Sequence, residues 1–429
     1  MPAPERWIIH CDCNSFFASV ELLDHPELRD TPAAVCGDPD SRHGIILAKN
    51  EPAKRRGVQT AQTIWQAQAL CPGLVLLPPH RDKYRAFYQQ INAIYQEYTA
   101  RVEPFSIDES WLDVTHTWRY YAASPAALAD LLRARVRAET GLTISAGVSF
   151  NKVFAKLGSD YKKPDATTLL TPENFRDILW PLPVEQMLFV GRRAGQRLHA
   201  LGIHTIGQLA AADETLLAQG LGKLGVQLRR YARGEDTAAV RRWGEHDPVK
   251  SVGNSTTYRR DLVGPADLRT GLAALADEVA GRLRRHGLYA GAVQVTIKDT
   301  RLKTIQRQKQ LAFSTHLARD LETAAWELVS RSWDMAVPVR LLGVTALGLT
   351  TEPFAVQQSL FEDAPAPDAR REALEKSLDA IRAKYGRHAI AGGYVLQSDI
   401  GLAGLSMQDG PDPDNADETG RQLTKGPLG

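Results

Sequence analysis

The chain has 429 residues, 43% of them hydrophobic and 24% charged, and its 52 Lys and Arg nearly balance 50 Asp and Glu for a formal net charge of +2. Such a length and balance exclude a disordered or fibrous chain and leave room for several domains, each with its own core. No apolar run approaches the roughly 20 residues of a membrane span, no long apolar leader opens the chain, and Cys11, Cys13, Cys36 and Cys71 are too few for a disulfide scaffold and lack zinc-ligand company, so a cytoplasmic protein without a membrane partner, its thiols reduced and buried, is expected.

Taken in chain order, Trp7-Ile8-Ile9-His10-Cys11 is a buried strand that runs straight into Asp12-Cys13-Asn14-Ser15-Phe16-Phe17, and 15–23 starts a helix. Residues 32–37 and 44–48 are two short strands across a polar turn, opening a small mixed unit that ends near 77. Residues 84–98 are helical, with Tyr84, Phe87, Tyr88, Ile91, Ile94, Tyr95 and Tyr98 on one face, a stripe that serves a core more often than a binding surface. Next come Phe105-Ser106-Ile107-Asp108-Glu109-Ser110-Trp111-Leu112-Asp113-Val114, a helix over 126–140, a strand over 142–148 and a helix from about 151. This β-α-β-β-α-β order is that of a ferredoxin-like sheet.

Residues 173–243 are mainly helical and punctuated by glycine. Phe189-Val190-Gly191-Arg192-Arg193 and Leu221-Gly222-Lys223-Leu224-Gly225 each set a turn before a basic helix. Their backbone amides suit a DNA phosphate, and equally they suit ordinary glycine-marked helix ends. After a polar bridge at 243–248, strands at 249–258, 291–299, 306–313 and 341–349 with two helices between them form a second α+β unit. Lys298, Arg301, Lys303, Arg307 and Lys309 on its central strands either grip a phosphate backbone or protect sheet edges. Residues 182–350 hold 24 Lys and Arg against 16 Asp and Glu, and 351–429 hold 8 against 13. That is the pattern of a polyanion-binding region followed by an acidic tail, or of solvated faces.

Asp108-Glu109 alone fits a turn, and Asp12 alone fits a strand-end cap. If the two strands lie side by side, however, Asp12, Asp108 and Glu109 converge, a costly arrangement unless cations neutralise it. Three carboxylates can hold two Mg²⁺ about 4 Å apart, which activates an attacking oxygen and stabilises leaving pyrophosphate. The chemistry indicated is phosphoryl or nucleotidyl transfer.

Three blocks, Asp12-Cys13-Asn14-Ser15-Phe16-Phe17-Ala18-Ser19-Val20-Glu21, Ser106-Ile107-Asp108-Glu109-Ser110, and Phe150-Asn151-Lys152-Val153-Phe154-Ala155-Lys156 through Lys163-Pro164, resemble the signatures of Y-family DNA polymerases, especially the DinB or DNA polymerase IV branch. The likeness runs in order over residues 7–361. It implies an α+β multidomain chain: a ferredoxin-like palm (1–27 and 81–172), small mixed fingers (28–80), a helical thumb with helix-hairpin-helix-like turns (173–243) and an α+β little finger (248–350). It also implies a monomer that copies primer-template DNA with deoxynucleoside triphosphates and two Mg²⁺, without proofreading, past damaged bases. Asp12, Asp108 and Glu109 then match the metal carboxylates, with the backbone carbonyl of Cys13 as a further ligand. Phe17 matches the steric gate, whose ring leaves no room for a 2′-hydroxyl. Ser15, Phe16, Phe17, Lys54 and Lys163 fall at nucleotide-binding positions, although Phe16 also suits a helix-start staple. Gly191, Arg192, Gly222, Lys223 and Gly225, with the five basic residues of the second α+β unit, fall at DNA contacts.

The likeness breaks in the fingers. In Asn50-Glu51-Pro52-Ala53-Lys54, Glu51 stands at a usual tyrosine and Lys54 at a usual arginine, so charge is kept and the bidentate fork lost. Asn14 replaces a common Asp at a non-ligand position, and Phe189 replaces a usual glycine of the first thumb hairpin. Beyond the little finger, segment 351–363 contains Gln357-Gln358-Ser359-Leu360-Phe361, which resembles the pentapeptide that docks bacterial polymerases on the sliding clamp, with Gln357 at the pocket rim and Leu360 and Phe361 in its apolar cleft. The extension 364–429 carries a helix over 368–385, capped by Asp368 and ended by Gly386, that aligns Leu374, Leu378, Ile381 and Tyr385 for packing, and then a tail expected to be disordered. Two other readings compete: a non-catalytic adaptor binding DNA and clamp, which has no need of all three carboxylates, and a palm-type cyclase, which has no use for Phe17 or the clamp-like peptide.

Overall fold

The computed structural model describes residues 6–39, 44–354, 369–386, 389–393 and 398–402. They fall into two compact units that divide between Glu245 and His246.

In the first unit the central sheet is built from β1 (Ile8–Cys13), β5 (Val102–Pro104), β6 (Glu109–Asp113), β7 (Ile144–Ser149) and β8 (Thr167–Leu169), in the order β5-β6-β1-β7-β8. The first four strands have the expected ferredoxin-like connectivity. β8 is an addition, parallel to β7, and three residues are too few to leave a period in the sequence. β1 is buried on both faces, and its alternation divides labour. Ile9, Cys11 and Cys13 join the core under α4 (Arg81–Gln96) and α5 (Pro125–Thr140), into which the tyrosine stripe also packs. His10 and Asp12 face α6 (Lys152–Tyr161). That helix lies very close to the sheet, because a Cβ on Gly147 of β7 would stand 1.9 Å from the carbonyl oxygen of Ala155.

Between α1 (Phe16–Glu21) and α4 sits the small unit of β2 (Ala33–Cys36), β3 (Ile46–Lys49), α2 (Glu51–Arg55), α3 (Ile64–Leu70) and β4 (Val75–Leu77), with strand order β3-β2-β4. Asn50 anchors it: its side-chain oxygen accepts from Ala53 N at 3.1 Å, capping α2, and from Ala33 N at 3.0 Å. The helical part comprises α7 (Phe175–Leu179), α8 (Arg192–Ala200), α9 (Ile206–Ala211), α10 (Glu214–Leu221) and α11 (Lys223–Ala232), and it shares Val153, Phe154 and Leu157 of α6 in its core.

The second unit is a four-stranded antiparallel sheet, β9 (Ser251–Leu262), β10 (Tyr289–Asp299), β11 (Thr304–Thr315) and β12 (Val339–Thr350), ordered β11-β10-β12-β9, with α12 (Gly264–Arg285) and α13 (Ala318–Ser332) over one face. One expectation is corrected by this sheet. Of the five basic residues expected on central strands, Lys298 alone lies on one; Arg301 and Lys303 sit at the β10–β11 turn, and β11 is an edge. On β11, Arg307 and Lys309 share alternation with Ile305 and Leu311, which pack on the helix-covered core, and Lys309 pairs with Glu327 of α13. The open face of that strand shows Gln306, Gln308 and Gln310 instead.

The same unit holds α14 (Ala369–Tyr385), within the span expected for a helix. It docks through charge: the nearly buried Arg284 pairs with Glu375 and, at 2.6 Å, with Asp379, while Arg382 lies 2.8 Å from Asp277. Of its apolar stripe, Leu374 and Tyr385 are 59% and 66% exposed while Leu378 is partly buried. The capping Asp368, the clamp-like Gln357, Leu360 and Phe361, and the expected disordered tail lie outside the described residues. All four cysteines are free and buried, and no helix among the described residues is long and apolar enough to cross a membrane.

Candidate active site

Asp12 and Glu109 are direct cross-strand partners in the β1–β6 register, so their side chains share one face. Asp108 precedes Glu109 at the hairpin end, fixed by Cys13 N donating to its backbone oxygen at 3.0 Å and by the Ser106 hydroxyl donating to Oδ1 at 2.5 Å. The three carboxylates therefore converge as the two segments predicted. Burial, then the charges of Asp12 and Glu109, push the Asp108 carboxyl above its ordinary value despite the Ser106 bond. Cys13 points its thiol into the core, where burial first and the nearby carboxylates second hold it protonated, leaving only its carbonyl for the site.

Two lysines answer this negative charge. Lys156 Nζ lies 2.8 Å from Asp12 Oδ2 and 3.1 Å from Glu109 Oε1, and Lys163 Nζ lies 2.6 Å from Asp12 Oδ2. Burial alone would lower both ammonium pKa values, but Asp12 and Asp160 outweigh it and both are raised. Behind them His10 is fully buried, with Nδ1 2.9 Å from Ser159 Oγ and Nε2 3.4 Å from Glu109 Oε2. Burial, then Lys156, lower its pKa to about 3, so its imidazole is neutral. The donor set is all hard oxygen and short of positive charge, which fits divalent cations such as Mg²⁺. Among the described residues no three His, Cys, Asp or Glu side chains already close around an ion, and the Lys156 and Lys163 ammoniums lie against Asp12 and Glu109 instead.

The carboxylates form one end of a cleft of about 420 Å³. Lys49, Lys54, Thr60 and Glu51 line its fingers side, and Ser15 and Phe17 are part of the wall between. Ser15 turns the chain out of β1 with a left-handed φ of 51°. Phe17 is stacked on Tyr84 with centroids 4.2 Å apart and planes 15° from parallel. Tyr84 in turn donates its hydroxyl to the buried Glu21 carboxylate, which also accepts from His80 N at 2.9 Å. The Phe16 ring is core, 3% exposed, so only its backbone serves the cleft. Asn14 is structural, bonded to Thr143 at 3.0 Å and Ser145 at 2.8 Å.

Elsewhere the predicted contacts separate. Gly222, with φ 64°, and Lys223 are exposed at the start of α11, as are Gly191 and Arg192 at the start of α8. Gly225 is corrected: its amide donates to Gly222 O at 3.1 Å, and a Cβ there would stand 2.4 Å from Leu217 O, so it is a helix-packing glycine. Phe189 takes a φ of 70° where glycine would be unstrained. Lys156, His10, Lys49 and the Glu21–Tyr84 pair were missed. For Lys156 a signal existed, since Lys156, Asp160 and Lys163 follow i, i+4, i+7 spacing in a motif already singled out.

A ferredoxin-like sheet with adjoining carboxylates, opening on a lysine-lined cleft, is the layout of a palm-type nucleotidyl transferase. Residues 11–160 match the impB/mucB/samB family and residues 249–360 match that family's C-terminal domain. DNA polymerase IV of Acetivibrio thermocellus is 42% identical over 401 residues, which cover 93% of this chain and 99% of that protein. DNA polymerase IV 1 of Bacillus subtilis is 38% identical, covering 93% and 95% respectively. A solved Y-family DNA polymerase chimera shares the fold at a TM-score of 0.71 and 23% identity, covering 81% of this chain and all of that one. The chain belongs to the Y-family DNA polymerases, in the DinB or DNA polymerase IV branch.

Proposed function

We infer that this DNA-directed DNA polymerase adds deoxynucleotides to a primer 3′ end by two-metal nucleotidyl transfer, without proofreading, as a single cytoplasmic chain that tolerates damaged template and docks on the sliding clamp. The observation that carries this reading is the in-register pairing of Asp12 with Glu109 beside Asp108, on a cleft whose fingers side is cationic. Asp12, Asp108, Glu109 and the Cys13 carbonyl would hold two Mg²⁺, which when bound supply Lewis-acid stabilisation of the developing charge. The chain's own residues do the rest. Lys156 and Lys163 supply counter-charge to Asp12 and Glu109, at 2.6 to 3.1 Å. Phe17, braced by Tyr84, presents a flat ring that excludes a 2′-hydroxyl by clash. Gly191, Arg192, Gly222, Lys223, Arg301 and Lys303 offer backbone and charge to DNA phosphates.

Primer extension with Mg²⁺ on undamaged template tests it, and separates it from the adaptor reading. Asp108→Asn should abolish extension while primer-template binding persists, because a lost ligand carboxylate acts on the transition state. Extension within about tenfold of wild type would remove Asp108 from the machinery.

A further inference from the structure

We propose that Lys49 binds the phosphates of the incoming nucleotide, taking over the role left open where Glu51 stands in place of the usual tyrosine. The proposal rests on the cleft being the nucleotide site. Lys49 is the last residue of β3, paired with Ala34 of β2, so its backbone is held by the fingers sheet while its side chain reaches the cleft that the carboxylates share. Its ammonium bonds the Thr60 hydroxyl at 3.0 Å, a neutral partner. Lys54, by contrast, lies 3.3 Å from the Glu51 carboxylate, which satisfies part of its charge.

The lysines of the cleft therefore differ in kind. Lys163 is already matched by Asp12 and Asp160, at 2.6 and 2.7 Å. Lys49 faces the cavity beside a second cation, and burial, then Lys54, depress its pKa against the pull of Glu51. A half-buried ammonium next to another is a cost that an anion in the cleft would offset. The cleft is thus polarised, acidic where Asp12, Asp108 and Glu109 would hold a metal and basic on the fingers side, and a polyphosphate is the anion whose length and charge suit both. A point charge on a flexible stem serves where the guanidinium fork is missing.

Single-nucleotide insertion kinetics test this with Lys49→Met, which keeps most of the aliphatic stem. KM should rise by about tenfold or more, by the same factor for all four deoxynucleotides, with kcat changed less than about threefold, since the contact is to phosphate and not to base. Inhibition by inorganic tripolyphosphate should weaken in parallel, and Lys49→Arg should restore both. Unchanged KM and unchanged tripolyphosphate inhibition in a variant that still extends primers would overturn the assignment. So would a lowered melting temperature with tripolyphosphate inhibition intact, which marks Lys49 as a brace for Thr60. Failure of the wild-type chain to extend any primer would instead sink the polymerase reading of the cleft.

Discussion

Lys156→Met removes an ammonium that lies 2.8 Å from Asp12 Oδ2 and 3.1 Å from Glu109 Oε1 while keeping the stem that packs α6. Asp12 is 3% exposed and Lys156 8%, so the pair is buried, and stripping one partner from a buried pair costs about 3–5 kcal/mol. Lys163 still neutralises part of Asp12, from 2.6 Å, which places the expectation at the lower end, about 3 kcal/mol. In a unit of this size roughly 2–4 °C of melting temperature follow each kcal/mol, so the variant should melt roughly 6–12 °C lower in EDTA. Magnesium should reverse much of this loss. In the wild type the ion has to displace the Lys156 ammonium from the same oxygens, whereas in the variant it meets carboxylates that only Lys163 still contacts, and about a hundredfold excess over Kd returns about 2.7 kcal/mol. Scanning calorimetry of both proteins in EDTA and in Mg²⁺ reads both quantities. Equal melting temperatures in EDTA, or equal Mg²⁺ shifts in the two proteins, would refute the view that Lys156 stands in for a cation.

Phe17→Ala should raise ribonucleotide relative to deoxynucleotide incorporation by about tenfold or more, and Glu21→Gln should do so more weakly by loosening Tyr84 beneath the ring; discrimination unchanged in an active Phe17→Ala enzyme would place the gate elsewhere. Replacing Leu360 and Phe361 together with Ala should leave synthesis on short primers unaltered and remove stimulation by a loaded clamp, because tethering acts on effective concentration; full stimulation in that double variant would end the docking assignment. Glu103 is buried, and burial, which raises its pKa, is outweighed by Lys152 at 2.7 Å and the Arg241 amide at 2.9 Å, so the net shift is downward. A depressed carboxyl stabilises fully above its ordinary value of 4.5 and loses that contribution as pH falls through the folded value. Glu103→Gln should therefore melt below wild type at neutral pH, by about 2–3 kcal/mol in stability, and converge with it in acid; a constant offset from pH 7 down to about 3 would contradict this.

What the sequence made legible was chemistry placed on strong local periods. The apolar run ending in Asp12 and the paired Asp108-Glu109 could be located because a carboxylate is conspicuous inside a strand, and the tyrosine stripe because six residues of α4, with Tyr98 just beyond it, follow helical spacing. Alternation relative to a distant element was not legible. Arg307 and Lys309 are basic residues on a strand in any reading, but only the burial of Ile305 and Leu311 shows that they share the covered face of β11. The stripe of α14 carries no sign of its partner, since the docking of that helix is decided by Arg284 and Asp277, which lie about a hundred residues away in sequence and leave no local mark. Lys49 was passed over for the same reason, as nothing in a strand-end lysine states which cavity it will enter.

The charge balance of the site itself depends on two residues without side-chain functional groups. Gly147 leaves α6 close enough that a Cβ would stand 1.9 Å from Ala155 O and 2.4 Å from Ser159 N, and a Cβ on Gly158 would stand 3.1 Å from Gly147 Cα. A helix held off by the ordinary contact of a methyl group would sit more than 1 Å further out, given the roughly 3.5–4.0 Å spacing of nonbonded carbons. Lys156 bonds Asp12 at 2.8 Å, and His10 meets Ser159 at 2.9 Å, so neither contact survives such a shift. The even-numbered face of β1 can hold an acid and a neutral imidazole side by side only because glycine lets their partners approach. The placement of the Lys156 ammonium against Asp12, and with it the charge that faces the cleft, is thus set by backbone packing as much as by the carboxylates.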